Sequence, residues 1–218
     1  VAAPGVALAF LLQGAIVVAA VAGLVRVAGL RAFADDARLR RLGWFFGLFA
    51  GALGVEVVVT AFLLGHGVAG VAAAPQPLAL LVLLHHGLMV AALVVALRTF
   101  AVPWQAPAAI APALLFVKGD SHYLLLGLLE ALLTLYLAVA SAVNHRRRKT
   151  KGALRVAAAF ALVFLGHLVY FLAVHRVVVR PFWGEALTLA GVLLLVRSVP
   201  RSARLQPPVA EAPDAEGR

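Results

Sequence analysis

Hydrophobic residues along the chain fall into seven long runs separated by short polar gaps, over residues 4–25, 43–65, 77–97, 103–117, 121–144, 152–174 and 181–196. Most runs reach the ~20 residues that a helix needs to cross a hydrocarbon core about 30 Å thick. They are too long for strands and lack the in–out alternation of barrel strands. The pattern therefore predicts an all-α, polytopic integral membrane bundle of about seven transmembrane helices. The fourth run is short and carries Pro103, Pro107 and Pro112, so a kinked or re-entrant segment is the alternative there.

Charge placement argues for a full crossing by that fourth run. With seven spans, one side of the membrane takes Arg26, Arg31, Arg38, Arg40, Arg41, Arg98, the cluster from Arg146 to Arg155 and the basic residues from Arg197 onward. Only Lys118, Arg176 and Arg180 fall on the other side. Removing the fourth span inverts everything after it and divides the basic residues nearly evenly. Because Lys and Arg accumulate on the cytoplasmic side, the chain is expected to have its N-terminus outside and its C-terminus in the cytoplasm. A seven-helix domain over 1–198 is followed by a cytoplasmic tail, 199–218. The tail mixes Pro, Ala, Glu and Arg without periodicity and reads as disordered.

Composition agrees with a bilayer as solvent. Of the 218 residues, 64% are hydrophobic and 13% charged, against about half and about a quarter in soluble domains. The formal charge of +10 does not mark a nucleic-acid binder, because the basic residues sit in the gaps where topology signals belong. The gaps are too short for a soluble catalytic domain. The bilayer, most simply the plasma (inner) membrane, is the expected environment, with a membrane or cytoplasmic protein as partner. The opening run lacks a basic n-region and an A-x-A site, and is expected to remain as a span. The chain has no cysteine, which removes disulfides, thiolate metal sites and cysteine nucleophiles from consideration.

Several polar residues interrupt the apolar runs. An ionisable group near the bilayer centre costs at least ~2.5 kcal/mol on insertion scales, so such residues face the interior and invite a functional explanation. Counted at 1.5 Å per residue from the outer end of each span, Gln13, Glu56, His85, His86, Glu130 and His167 fall roughly 10–15 Å deep, in one layer. Glu185 falls shallower in the last run. Spacings of three, four and seven put Tyr123, Gly127, Glu130, Thr134 and Ser141 on one stripe of a helix. Glu56 with Thr60, and His167 with Tyr170, share faces of two others. Adjacent residues differ by ~100° around a helix, so only one of His85 and His86 is expected to point fully inward, with His86 preferred.

Imidazole and carboxylate at one depth suit a transition metal held by Glu56, His86, Glu130 and His167, or haem b bound axially by histidines drawn from His85, His86 and His167. Either would make the chain a membrane subunit for electron or proton transfer. A non-enzymatic seven-helix sensor or interaction module, with the layer as packing or ligand pocket, is the alternative, and a proton-coupled transporter is a second. Whether the chain is an enzyme is left open by these residues. Outer-end histidines His66, His122 and His175 read as ordinary rim residues, and Trp44, Trp104 and Trp183 as interfacial anchors. Gly43, Gly47 and Gly51 read as a small-residue ridge for close helix packing.

Seven helices with an outside N-terminus is also the topology of microbial rhodopsins, but the last run, GEALTLAGVLLLV, has no lysine to carry retinal. The late paired-histidine motif of seven-helix zinc amidohydrolases is missing from that run too. In helix count and short Arg-rich loops the chain resembles the sensor modules found ahead of bacterial and archaeal kinases.

Overall fold

The computed structural model describes residues 4–31, 36–73, 75–100, 121–149, 151–174 and 181–199. Among them the chain is all-helical: α1 Pro4–Arg31, α2 Ala37–Ala73, α3 Pro75–Thr99, α4 Ser121–Arg148, α5 Lys151–Val174 and α6 Pro181–Ser198. Five of these, α1 to α5, are long and apolar enough to cross a membrane. The expected fourth span, 103–117, and the tail beyond 199 lie outside the described residues, as do Trp104, Lys118, Asp120 and His175 and the side chains of His66, His122, Tyr123 and Tyr170.

Local chemistry closes the helix ends. Asp36 caps α2, its Oδ1 accepting the backbone N–H of Arg38 at 2.7 Å. Lys149 stops α4 by adopting a left-handed φ of 51°, and its N–H reaches back to the carbonyl of His145 at 2.7 Å. Glycine or asparagine usually takes that position, because a side chain there crowds the following carbonyl.

Each helix packs on its sequence neighbours, and α6 returns to α1, so the six described helices form a closed ring. The seam between α3 and α4 is the loosest. The described basic residues gather at one end of the ring. There the starts of α2 and α5 meet the ends of α3, α4 and α6 around a shared cavity, and Arg26 of α1 donates to the carbonyl of Val196 at 3.2 Å. Helices α3 and α4 therefore run parallel, both arriving at the Arg-rich end with their C-termini.

The helices carry apolar side chains on both faces, and burial separates the two. On α1, Leu11, Val18 and Val25 recur every seven residues and are more than 60% exposed, while Ile16, Ala20 and Val27 are fully buried. On α4, Leu128, Leu132, Leu135, Val139 and Val143 face out, and Leu133, Thr134, Leu137 and Ser141 face in. Water would not tolerate outward stripes of this extent; lipid does. Trp44 and Trp183 are exposed near the starts of their helices, where interfacial anchors belong.

The closest backbone approach lies elsewhere than the expected ridge. Gly47 has nothing within 4 Å of a hypothetical Cβ, and Gly43 and Gly51 meet only side chains at ordinary distance. At the α5–α6 seam, by contrast, a Cβ on Gly191 would stand 2.7 Å from the carbonyl oxygen of Ala159, and one on Gly166 would stand 2.8 Å from that of Gly184. These two glycines, one on each helix, let α5 and α6 touch backbone to backbone.

Below the middle of the ring, Phe45, Phe46, Phe49 and Phe160 are all at most 2% exposed. Phe45 stacks on Phe49 at 5.5 Å between centroids and meets Phe46 edge-on at 5.1 Å. Phe160 joins Phe45 at 6.3 Å and Phe100 at 5.8 Å. This aromatic floor separates the Arg-rich end from the polar layer above it.

Candidate functional site

The polar layer is built from every described helix. Gln13 of α1 is its bridge: Nε2 donates to Oε1 of Glu185 at 3.0 Å and to Oε1 of Glu56 at 3.3 Å. One amide thus holds carboxylates from α2 and α6. Across the ring, Nδ1 of His86 on α3 hydrogen-bonds Oε1 of Glu130 on α4 at 2.8 Å. Glu130 is 2% exposed, and the same turn of α4 is finished by Thr134, whose hydroxyl donates to the carbonyl of Glu130 at 3.0 Å.

Both adjacent histidines point into protein, which corrects the expectation that only one would. The reason is the position of α3 between two neighbours. His85 turns towards α2, where its Nδ1 lies 2.9 Å from the carbonyl oxygen of Ala52; His86 turns towards α4. The two directions differ by about one residue's rotation, ~100°, and each has a helix waiting. Their rings meet edge-on with centroids 5.0 Å apart.

A cavity of about 80 Å³ lies in the layer, lined among others by Glu56, His85, Met89, His167, Glu185 and Thr188. Phe49 and Leu53 close it towards the aromatic floor. A liquid-water molecule takes about 30 Å³, and the walls carry several polar groups, so the cavity suits water. His167 contributes a buried Nδ1 without a well-formed hydrogen bond, with the Val163 carbonyl one turn back as its neighbour. Buried polar atoms left in this state ordinarily indicate a missing water or ion. Oε1 of Gln13 is in the same condition.

The structure therefore brings the predicted residues together in two groups. His85, Glu56 and His167 share the cavity, and His86 and Glu130 form the pair beside it. Glu185 belongs to the first group, against the expectation that it lies shallower. Helix α6 is only 18 residues long, so its outer end starts deeper than that of α1 or α2. Counted from the Arg-rich end instead, Glu185 stands as far from Ser198 as His86 does from Thr99.

His85, His86 and Glu130 each offer one ligand atom, and these atoms lie within 4.8 Å of one another. Ligands around a zinc-like ion at ~2.1 Å stand about 3.4 Å apart, so small side-chain rotations close the set. The contact with Ala52 fixes the tautomer of His85. A carbonyl only accepts, so Nδ1 carries the proton towards Ala52 and Nε2 keeps its lone pair, the arrangement by which outer contacts prepare a metal-binding histidine. No known protein family, curated protein or solved structure matches this chain.

Proposed function

We propose that the chain is a seven-helix membrane protein that binds one divalent transition metal ion through His85, His86 and Glu130, and handles protons through the adjoining Glu56, Gln13, Glu185 and His167. The observation that carries the reading is the convergence of two histidines and a carboxylate, one histidine already fixed by a backbone carbonyl. Imidazole and carboxylate together suit zinc, manganese, iron or copper. Three protein ligands leave a position open for water from the cavity, as sites that act on a substrate or pass a proton do. Within the electron- or proton-transfer roles the sequence suggests, the mixed imidazole and carboxylate donor set favours an ion with water over haem.

The metal would supply charge to lower the pKa of a bound water. The chain's own residues do the rest. His85 and His86 present nitrogen donors from one turn of α3, and Glu130 brings an oxygen from α4. Glu56 and Glu185, held by one amide, repel each other when both are charged, so this pair has a place for a proton or for a nearby cation. His167 faces them across the cavity as a proton carrier. The aromatic floor blocks the Arg-rich side, so exchange runs through the opposite end.

The topology proposed is N-terminus outside and C-terminus in the cytoplasm of the plasma membrane, with a bundle over 1–198 and a cytoplasmic tail over 199–218. One relationship supports the seventh span: α3 and α4 run parallel, so the chain between them has to pass from one end of the bundle to the other, about 30 Å, which a helix of about 20 residues covers. The Arg-rich end becomes the cytoplasmic one by the positive-inside rule, where a protein partner would dock.

The reading is tested by titrating the purified full-length protein with Co²⁺ and following visible absorption. A saturable band of a low-coordinate nitrogen–oxygen site, lost in His85→Ala, is expected. A spectrum unchanged from aqueous cobalt assigns the layer to interhelical hydrogen bonding alone.

A further inference from the structure

A second cavity, of about 600 Å³, opens at the Arg-rich end. It lies on the far side of the aromatic floor and shares no residue with the layer above. Its size is within the range of small-molecule pockets, about 300–1,000 Å³. Arg38 and Arg41 of α2 and Arg98 of α3 line it, with Ser141 and Asn144 of α4 opposite. Among the described lining residues Asp36 is the one acid, and its Oδ1 is already engaged with the backbone of Arg38.

Ser141 is the second, independent observation. It is 4% exposed, it lines the cavity, and its Oγ has no hydrogen-bond partner. Hydroxyls at the same rim behave otherwise: Thr99 donates to the carbonyl of Val95 at 2.7 Å, and Ser198 to that of Leu195 at 2.6 Å. A helical serine normally uses this same escape. Leaving a buried hydroxyl unbonded is unfavourable, and a ligand oxygen in the cavity would satisfy it. The positive-inside pattern accounts for arginines at this end, but not for a cavity walled by them from two helices with a free donor opposite.

We propose that this cavity binds a phosphate group, presented by an anionic phospholipid or as free phosphate. Guanidinium groups recognise phosphate through paired, charge-assisted hydrogen bonds. Arg38 and Arg41 lie one turn apart on α2, and the Ser141 hydroxyl donates from across the cavity. Gly152 and Ala153 at the start of α5 complete the wall, with backbone N–H groups that have no partner within their helix.

The test uses the full-length protein, with phosphatidylglycerol against phosphatidylcholine in mixed micelles read by native mass spectrometry, and inorganic phosphate read by thermal shift. Arg41→Gln changes an exposed side chain, and Ser141→Leu fills the cavity. Arg40→Gln alters an exposed neighbour outside the lining and serves as control. Saturable binding of either probe is expected, weakened about tenfold by Arg41→Gln and by Ser141→Leu and unchanged by Arg40→Gln. Binding of phosphatidylglycerol without phosphate identifies a lipid headgroup site; competition between the two identifies a site for the free anion. Equal weakening by Arg41→Gln and Arg40→Gln, or no saturable binding of either probe, overturns the proposal.

Discussion

Nδ1 of His86 lies 2.8 Å from Oε1 of Glu130, tying the middle of α3 to the middle of α4 across the loosest seam of the ring. Removing one partner of a buried pair leaves the other unsatisfied, which costs about 1–3 kcal/mol. Glu130→Leu should therefore lower unfolding stability by about that amount, whereas Glu130→Gln keeps an oxygen for His86 and should cost less than 1 kcal/mol or so. Both should abolish metal binding, because an amide is a poor ligand for these ions. Thermal unfolding read beside metal affinity separates the two effects; equal stability loss in both variants would show that the carboxylate's charge, and not an acceptor oxygen alone, holds His86.

Gln13 offers a cleaner view of the other half of the layer, because one amide serves two carboxylates. A double-mutant cycle between Gln13→Leu and Glu185→Leu should give a coupling of about 0.6–1.7 kcal/mol, the range of interhelical hydrogen bonds in membranes. Additive single effects would show that the 3.0 Å contact contributes nothing.

Much of this arrangement is legible in the sequence, for physical reasons that also mark where reading stops. Long apolar runs must be helices in lipid, and ionisable residues within them must turn inward, so Glu130 and its stripe-mates Thr134 and Ser141 could be placed on a buried face from spacing alone. The partners could not. His85 and His86 differ by one residue, and the choice between them depends on whether α3 has one helical neighbour or two. Glu185 reads as shallower because depth along the sequence counts from an outer end that α6 does not reach. Gly43, Gly47 and Gly51 have the spacing of a packing ridge, yet the tight contact falls at Gly166 and Gly191, which share no motif because they sit on different helices.

That contrast is directly measurable. A Cβ at Gly191 meets the Ala159 carbonyl at 2.7 Å, so Gly191→Ala must push α5 and α6 apart and should destabilise the fold by about 1–3 kcal/mol. Gly47→Ala, with open space around it, should be neutral or slightly stabilising. A thermal shift of the same size in both would contradict the assigned seam.

Lys149 holds a left-handed conformation at φ 51° that costs a non-glycine residue about 1–2 kcal/mol. Lys149→Gly should relieve part of that and raise the unfolding midpoint, although glycine's greater freedom when unfolded offsets some of the gain. A lowered midpoint would mean that the lysine side chain supplies more stability than its backbone costs.

The absence of native cysteine makes the orientation easy to check. Single substitutions Arg146→Cys and Gln76→Cys, at opposite ends of the ring, should react oppositely with a membrane-impermeant maleimide in intact cells. Gln76→Cys should label from outside, and Arg146→Cys only after lysis; the reverse pattern would invert the proposed topology.

The central claim is that His85, His86 and Glu130 hold one metal ion, and its most direct test is elemental analysis of the full-length protein after detergent purification and gel filtration. The account predicts close to one equivalent of a single transition metal per chain, lost in His85→Ala and in Glu130→Gln while both variants still elute as folded protein. Metal-free wild-type protein that also takes up none when supplied with zinc, manganese, iron or copper would contradict it.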